Sequence, residues 1–158
     1  MCIISYKDPE QHERVVEAVK QYALEKLVPK LKPKLVVLYG SFARGDCGPG
    51  SDIDLLIVAE DVPKTYWDRW SLAYEIVEGF PIDPHIYTPN EFVEMVEEGR
   101  MTALDALTEG KTIYADPSFQ QQINKLLEKA LKTRTKYKNM WIPKNFLQKL
   151  EGKNHHSP

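Results

Sequence analysis

Uninterrupted apolar runs at two places in the chain predict the centre of a β-sheet. Residues 35–39 and residues 53–59 are each apolar over the length of a strand, apart from Asp54. A strand that is apolar on both faces is typical of a sheet covered by helices on both sides. We therefore expect two buried central strands joined by the short polar stretch between them.

A third strand is predicted at residues 81–88, where apolar and polar positions alternate. The alternation places Asp83 and His85 on the same face. Pro84 lies between them and has no N–H to donate to a ladder, so we expect this strand to be an edge strand or to bulge at that point. A short strand is also predicted at residues 112–114.

Helical spacing of apolar residues predicts helices around these strands. The first begins with Asp8 as its cap, continues to about Val28 and is ended by Pro29 and Pro33. Further helices are predicted at residues 65–79, after the caps Thr88 and Asp116, and at residues 101–109. Beyond Lys132 we expect a loosely packed tail with disordered last residues. This order predicts the α/β class, with a small sheet of mixed strand directions flanked by helices.

The beginning of the second central strand brings two acidic residues together. Side chains two positions apart on a strand point to the same side, so Asp52 and Asp54 are expected to lie side by side. At about 5 Å and an effective dielectric constant near 20, their charges would repel by roughly 3 kcal/mol. A bound cation relieves such repulsion, and the Gly40-Ser41 turn offers N–H groups to a phosphate. The pattern predicts a nucleotide and metal site.

The segment GSFARGDCGPGSDIDLLIV resembles the pattern of the minimal nucleotidyltransferase family, small relatives of the DNA polymerase β-type nucleotidyltransferases. The matching positions are Gly40, Ser41, Ala43, Arg44, Gly45, Ser51, Asp52 and Asp54. The family pattern also has a third carboxylate on a later strand, and Asp83 is the matching residue. The resemblance implies a nucleotidyltransferase domain over residues 1–115, with residues 116–158 forming a C-terminal helix and basic tail of the same compact unit.

The resemblance also implies what the matched residues do. Asp52, Asp54 and Asp83 would bind Mg²⁺ and carry out catalysis, while Gly40, Ser41, Arg44 and Ser51 would bind the nucleotide. Ser51 is also expected to cap the loop that leads into the strand. ATP would be the donor, and AMP would pass to an acceptor hydroxyl with release of pyrophosphate. Several members of the family are antitoxins that modify a small helical partner of the HEPN type.

Three structural alternatives compete with these roles. Arg44 can instead pair with Asp46 or Asp61, and His85 is interpreted as a packed polar residue of its strand. Trp67 and Trp70 fit the apolar stripe of their predicted helix and are expected in the core.

Two functional alternatives also stay open. One is a non-catalytic module of the same fold that binds a nucleotide or a partner. The other is a nucleotidyltransferase that acts on a small hydroxylated molecule.

Composition narrows the choice of class. A chain of 158 residues predicts one compact domain, and its net charge of −2 hides an asymmetry between a basic C-terminal part and an acidic remainder. No apolar run reaches the roughly 20 residues of a membrane span, and no signal peptide is evident. Cys2 and Cys47 form no disulfide framework, so a cytoplasmic protein is expected.

The C-terminal part of the sequence is basic. Residues 125–153 contain nine lysine or arginine residues and two glutamates, with Tyr137, Trp141 and Phe146 among them. Aromatic and basic residues together occur in segments that bind nucleic acid. They also suit a segment that packs on the acidic body or on another protein, and we favour this second interpretation because no RNA-binding motif is present.

Overall fold

The computed structural model describes residues 9–46 and 50–154, the side chains of Lys153 and Asn154 excepted. Its centre is a five-stranded sheet in the order β3-β4-β2-β1-β5. The strands are β1 (Leu35–Tyr39), β2 (Ile53–Val58), β3 (Ile76–Val77), β4 (Phe80–Tyr87) and β5 (Lys111–Ala115). Only the β2–β4 pair is parallel within this sheet. The mixed α/β architecture predicted from the sequence is confirmed.

Helices cover the sheet on both sides. They are α1 (Pro9–Tyr22), α2 (Val28–Leu31), α3 (Ser41–Arg44), α4 (Tyr66–Ala73), α5 (Pro89–Glu98), α6 (Met101–Glu109), α7 (Pro117–Thr133) and α8 (Lys144–Asn154). One core cluster joins α1 and the sheet, and the other joins α5, α6 and α7 to the opposite face. Because both faces are covered, every residue of β1 is buried. None of the helices among the described residues is long and apolar enough to cross a membrane.

The predicted starts of two helices are confirmed by their caps. Thr88 and Glu91 form a reciprocal capping box at the start of α5, in which each side chain accepts a hydrogen bond from the other residue's N–H. The Asp116 carboxylate accepts a hydrogen bond of 3.0 Å from the N–H of Phe119 at the start of α7. Such caps satisfy N–H groups that have no partner within the helix, which is why they mark helix starts in a sequence. The predicted cap Asp8 lies outside the described residues.

The first helical segment continues beyond its predicted end. A π-helical turn, Ala23–Leu27, connects α1 to α2, so Pro29 falls in the first turn of α2 and not inside a regular helix. The helical path therefore continues past Pro29, directly after the π-helical turn. Of the two prolines predicted to end the helix, Pro29 does not end it, whereas Pro33 follows directly after its last residues. The segment ends at Lys32, whose φ is 47°.

The helix predicted at residues 65–79 is too long. α4 ends at Ala73, and β3 then pairs with β4 through a tight turn at Glu78 and Gly79. Both turn residues have positive φ, 51° and 83°, as a two-residue hairpin turn of type I′ requires. The apolar residues of this stretch fit a helix and a short strand about equally well, and the turn decided between them.

Pro84 lies inside β4 without a bulge. The ladder between β2 and β4 continues in register past it, and β3 pairs with β4 only at Phe80 and Pro81. On that side β4 has no partner strand at Pro84, so the missing N–H costs no ladder hydrogen bond. The expectation of an edge position is confirmed locally.

The expected loose tail is wrong for residues 134–154. After α7 the chain forms a hairpin of β6 (Arg134–Tyr137) and β7 (Met140–Pro143), followed by α8. Each of these strands is only four residues long, too short for its alternation to be recognised in the sequence. The expected disorder of the last residues falls outside the described residues, and so does Cys47. The domain boundary at residue 115 stays a prediction.

The hairpin is held on α6 by a small polar cluster, which we call the hairpin clamp. The Lys136 ammonium donates to Asp105 Oδ1 at 2.9 Å and to Glu109 Oε1 at 2.7 Å. The Trp141 indole N–H donates to the same Asp105 oxygen at 2.8 Å. All four residues are partly buried. A basic segment therefore packs on acidic residues of the body, the interpretation favoured from the sequence.

Candidate active site

Two of the predicted acidic residues lie side by side on neighbouring strands. Asp54 of β2 and Asp83 of β4 are direct partners in the parallel ladder. Their side chains are 32% and 33% exposed, which leaves both carboxylates open to a ligand. They point to the same face as Leu56, which belongs to the core under α5, α6 and α7. The tertiary structure thus brings together residues that are 29 positions apart in the sequence.

Asp52 lies just before β2 and is exposed. Partial burial, followed by the negative charges of Asp83 and Asp54, raises the pKa of the Asp52 carboxyl above its ordinary value. The three carboxylates therefore act electrostatically on one another, and we call them the aspartate site. Within the described residues, no lysine or arginine forms an ion pair with any of them.

His85 is the one basic side chain within 4 Å of these carboxylates among the described residues. Its Nε2 lies 3.2 Å from Asp83 Oδ2 and 3.6 Å from Asp54 Oδ1. Burial disfavours the charged ring, but hydrogen bonds and charges from the two aspartates outweigh it and raise the pKa of His85. His85, which the sequence favours as a packed polar residue, instead contacts both carboxylates. Its position two residues after Asp83 on the same strand was the signal for this contact.

Tyr39 closes the buried side of the site. It is opposite Asp54 in the β1–β2 ladder, and its ring meets the His85 ring edge-on at 5.7 Å between centroids. Burial, then the charges of Asp54 and other nearby groups including Asp83 and Asp105, raises the pKa of its hydroxyl, so the phenol stays protonated at neutral pH. It therefore adds no negative charge to a site that already contains three carboxylates.

Trp70 contacts the site from α4. Its indole N–H donates to Asp83 Oδ1 at 3.3 Å, and its ring stacks on Tyr74 at 4.3 Å between centroids. The expectation that both tryptophans belong to the core is wrong, because Trp70 is only partly buried and Trp67 is 71% exposed. Of the residues of α4 only Ala73 is buried, so the apolar spacing in this helix does not mark a core-facing stripe at either tryptophan.

Gly40 lets the chain turn directly beside Asp54. Its φ of 76° is in the region that favours glycine, and a Cβ at this position would lie 2.4 Å from Asp54 Oδ2. The glycine therefore serves two needs, an unusual backbone angle and a close approach to a carboxylate. Ser41 follows as the first residue of α3 and is partly buried.

Arg44 is half-exposed at the end of α3. Its Nε donates to Asp46 at 3.2 Å, and its Nη1 lies 3.6 Å from Glu109. The Asp46 hydrogen bond, acting against partial burial, raises the pKa of the guanidinium further. The pairing with Asp46 was one of the expected alternatives, and no ion pair with Asp61 is formed. Binding of a nucleotide by Arg44 or by the partly buried Ser51 stays a prediction.

The chemistry of the donor atoms fits a divalent cation. Asp54, Asp83 and His85 each offer one ligand atom, and these atoms all lie within 4.8 Å of one another. Carboxylate oxygens are the protein ligands that Mg²⁺ prefers, and a neutral imidazole also binds transition metals. Asp52 is outside this closest group but adds to its negative charge.

Comparison with known proteins also indicates nucleotidyl transfer. A family model described as a nucleotidyltransferase domain matches residues 12–109. A candidate protein adenylyltransferase of Methanocaldococcus jannaschii is 32% identical over 94 residues, which cover 53% of this chain and 90% of that protein. A second candidate protein adenylyltransferase of this organism is 31% identical over 87 residues, covering 50% of this chain and 59% of that protein.

Two solved structures match most of the chain at low sequence identity. One is a toxin–antitoxin structure with AMP-PNP, at 19% identity and a TM-score of 0.43, covering 85% of this chain and 92% of the other. Another is a tri-AMPylated HEPN toxin of Shewanella oneidensis in complex with an MNT antitoxin, at 17% identity and a TM-score of 0.38, covering 86% and 92%.

The family assignment rests on the domain match, which includes the whole glycine-serine turn and both strands of the aspartate site. The first M. jannaschii relative supports it, because the match covers nearly all of that protein. The chain therefore belongs to the nucleotidyltransferase domain family and is a nucleotidyltransferase.

Proposed function

We propose that the protein transfers AMP from ATP to a hydroxyl group of a protein partner in a Mg²⁺-dependent reaction. One observation carries the proposal: Asp54 and Asp83 are ladder partners, and no lysine or arginine among the described residues pairs with them. Acidic clusters without such partners suit a metal that holds a polyphosphate. The name of the 32% identical relative, a candidate protein adenylyltransferase, supports AMP as the transferred group and a protein as the acceptor.

The aspartate site would hold Mg²⁺, with Asp52 and Asp54 on the nucleotide side and Asp83 on the acceptor side. When bound, Mg²⁺ supplies positive charge for the phosphates and lowers the pKa of the acceptor hydroxyl. His85 holds the Asp83 and Asp54 carboxylates in place through its Nε2. Trp70 fixes the Asp83 carboxylate from the other side by donating to Oδ1.

The glycine-serine turn would position the triphosphate. Gly40 allows the backbone to approach the phosphates closely, and Ser41 adds its hydroxyl and N–H as donors. Arg44 lies one helical turn further and offers a planar guanidinium with several N–H donors. Ser51 precedes Asp52 and would keep the entry to β2 in place.

The transfer itself forms one bond and breaks one. The acceptor oxygen attacks the α-phosphorus of ATP, the bond from this phosphorus to the bridging oxygen of the β-phosphate breaks, and pyrophosphate leaves. The acceptor proton passes to the Asp83 carboxylate, which its parallel strand places next to Asp54. Tyr39 remains a neutral phenol, so it adds no negative charge near the phosphates.

The proposed acceptor is a tyrosine hydroxyl on a small helical protein of the HEPN type, with this chain acting as its antitoxin in the cytoplasm. This follows from the resemblance of the glycine-serine and aspartate pattern to minimal nucleotidyltransferases. A small hydroxylated molecule as acceptor, and a binding module without catalysis, are the alternatives that the experiment below distinguishes.

The test combines thermal unfolding with labelled ATP. ATP should raise the melting temperature only when Mg²⁺ is present, and Asp54→Asn should remove this shift. Asp61→Asn is the matched control, because Asp61 is an exposed aspartate outside the site. In the presence of the partner, labelled AMP should appear on that protein, and Asp83→Ala should lose transfer while it keeps ATP binding. An equal shift with ATP in chelator would favour the binding module, and label on a small molecule would favour the other acceptor.

A further inference from the structure

A polar cavity opens on the face of the sheet that carries the aspartate site, and Arg44 is the one lining residue with a role in the proposed function. It has a volume of about 700 Å³, which is in the range of cavities that hold a small ligand. Its lining comes from α3, from α6 and from the β6–β7 hairpin: Arg44, Asp46, Met101, Asp105, Glu109, Lys136, Lys138 and Asn139. The hairpin residues lie beyond residue 109, where the family match ends.

The cavity and the aspartate site share one face and one end of the sheet. α6 packs on the face to which Asp54 points, since Ala106 and Leu56 belong to the same core cluster. Arg44 ends the helix that begins directly after Gly40, the glycine in contact range of the Asp54 carboxylate. The Tyr39 phenol is affected by the charges of both Asp54 and Asp105. A ligand that extends from the phosphates at Gly40 along α3 would therefore enter the cavity.

The charges of the lining favour a neutral ligand over another phosphate. Three cations and three carboxylates line the cavity, so their formal charges cancel. Most of these charges are already used within the protein, with Lys136 on Asp105 and Glu109, and Arg44 on Asp46. A phosphate would have to approach carboxylates that are already paired, which costs desolvation and repulsion.

The lining nevertheless offers hydrogen-bonding groups. Glu109 Oε2 is buried and lies 3.6 Å from Arg44 Nη1, but it accepts no hydrogen bond from the described residues. Such an atom is usually satisfied by a water or a ligand. The Asn139 amide, in the turn of the hairpin, offers both donors and an acceptor, and Met101 adds apolar surface. Acceptors, donors and an apolar wall together suit the hydroxyls of a ribose and the edge and face of a base.

We propose that this cavity binds the nucleoside part of the donor triphosphate, and that the β6–β7 hairpin determines which base is accepted. The inference rests on the proposed function, because it places the rest of the same nucleotide whose phosphates lie at Gly40 and Ser41. It assigns a role to a C-terminal segment that the family match does not include. The hairpin clamp then has a function as well, since it fixes Asn139 over the cavity.

The experiment uses two exposed methionines as a matched pair. Met101 is 53% exposed and lines the cavity, whereas Met140 is 57% exposed and does not. Met101→Trp fills the cavity and should weaken ATP binding in Mg²⁺ at least about tenfold, measured by calorimetry on the full chain. Binding of inorganic tripolyphosphate with Mg²⁺ should stay within about twofold, because it has no nucleoside. Met140→Trp should leave both affinities unchanged.

Each outcome has a defined meaning. Unchanged ATP binding by Met101→Trp, or equal weakening of ATP and tripolyphosphate, overturns the inference while the proposed function stands. If the unaltered protein binds neither ATP nor tripolyphosphate with Mg²⁺, both are overturned.

Base selection is tested separately. Asn139→Ala should reduce the preference among ATP, GTP, CTP and UTP, and Asn145→Ala, an exposed change on α8, should not. An unchanged preference in Asn139→Ala overturns the role of the hairpin.

Discussion

Two pairs of carboxylates lie on the same side of the sheet and differ in what neutralises them. Asp105 and Glu109 share the Lys136 ammonium at 2.9 and 2.7 Å, and Asp105 also accepts from an indole. Asp54 and Asp83 have only a histidine ring between them among the described residues. The first pair is a structural contact, because it is satisfied within the protein. The second pair has ligand atoms available for an external cation, as a functional site requires.

The residues between the two pairs explain how they stay apart. Arg44 contacts Glu109 on the side of the hairpin clamp and does not pair with Asp54 or Asp83. Tyr39 lies between the pairs and stays neutral. An arginine at Asp54 would bring a permanent positive charge that competes with a metal, whereas His85 can lose its proton, so the separation keeps Arg44 from neutralising the aspartate site.

The largest expected effect comes from closing the space beside Asp54. Gly40→Ala introduces a Cβ 2.4 Å from Asp54 Oδ2 at a φ of 76°, so the carboxylate must move. We expect Mg²⁺-dependent transfer to fall about 100-fold or more. The measurement is incorporation of labelled AMP under saturating ATP.

Gly45→Ala is the matched control for this change. Gly45 also has a positive φ, 83°, but a Cβ there would meet nothing within 4 Å. Both variants should lose about 1–2 kcal/mol of unfolding free energy from backbone strain. Only Gly40→Ala should lose transfer, and equal losses of transfer would show that strain alone, and not the contact with Asp54, was responsible.

The second prediction concerns a variant that removes the positive charge between Asp105 and Glu109. Lys136→Met leaves Asp105 and Glu109 partly buried and close together, and should lower the free energy of unfolding by about 1–2 kcal/mol. Denaturation by urea measures the free energy of unfolding, and Lys144→Met on the exposed surface of α8 is the control. If Lys136→Met is as stable as the control, the hairpin clamp does not hold the hairpin.

A smaller effect is expected at Asp83. Trp70→Phe keeps an aromatic ring on Tyr74 but removes the N–H that donates to Asp83 Oδ1. Loss of one hydrogen bond should reduce the transfer rate about 3- to 10-fold while ATP affinity stays the same. Single-turnover kinetics separates the transfer rate from the ATP affinity. A matching loss of ATP affinity would place Trp70 with the nucleotide and not with the acceptor side.

The smallest expected effect is the pH dependence caused by Asp52. The pKa of this carboxyl is raised in the folded protein, so its ionised form costs stability above that pKa, and the cost disappears as the pH falls through it. In chelator, Asp52→Asn should therefore be slightly more stable than the unaltered protein at neutral pH. The advantage should shrink as the pH approaches the ordinary carboxyl value of 3.8. Urea denaturation at neutral pH and near pH 3.8 measures the stability difference between the two proteins. A difference that grows in acid would contradict the prediction.

The elements of the site followed from the sequence because their signals are local. The apolar runs gave β1 and β2, the glycine-serine turn gave the bend before α3, and strand alternation placed Asp83 and His85 on one face. Caps at Thr88 and Asp116 marked two helix starts correctly, since a cap depends only on neighbouring residues.

Three features were not predictable from local signals. The contact of Trp70 with Asp83 depends on how α4 packs beside β4. The contact of His85 with two carboxylates depends on the register between β2 and β4. The hairpin at residues 134–143 is held by contacts with α6, which are 27 to 36 positions away in the sequence.

By itself, the sequence determined four of the five sheet strands, the family pattern and the candidate acidic residues, because periodicity and turn chemistry act over a few neighbouring positions. Only the tertiary structure decided which of these residues meet. Strand register set Asp54 against Asp83, and packing on α6 placed the basic tail against Asp105 and Glu109. The physical reason is that neutralisation of charge depends on distances of a few ångströms in space, which separation along the chain does not encode.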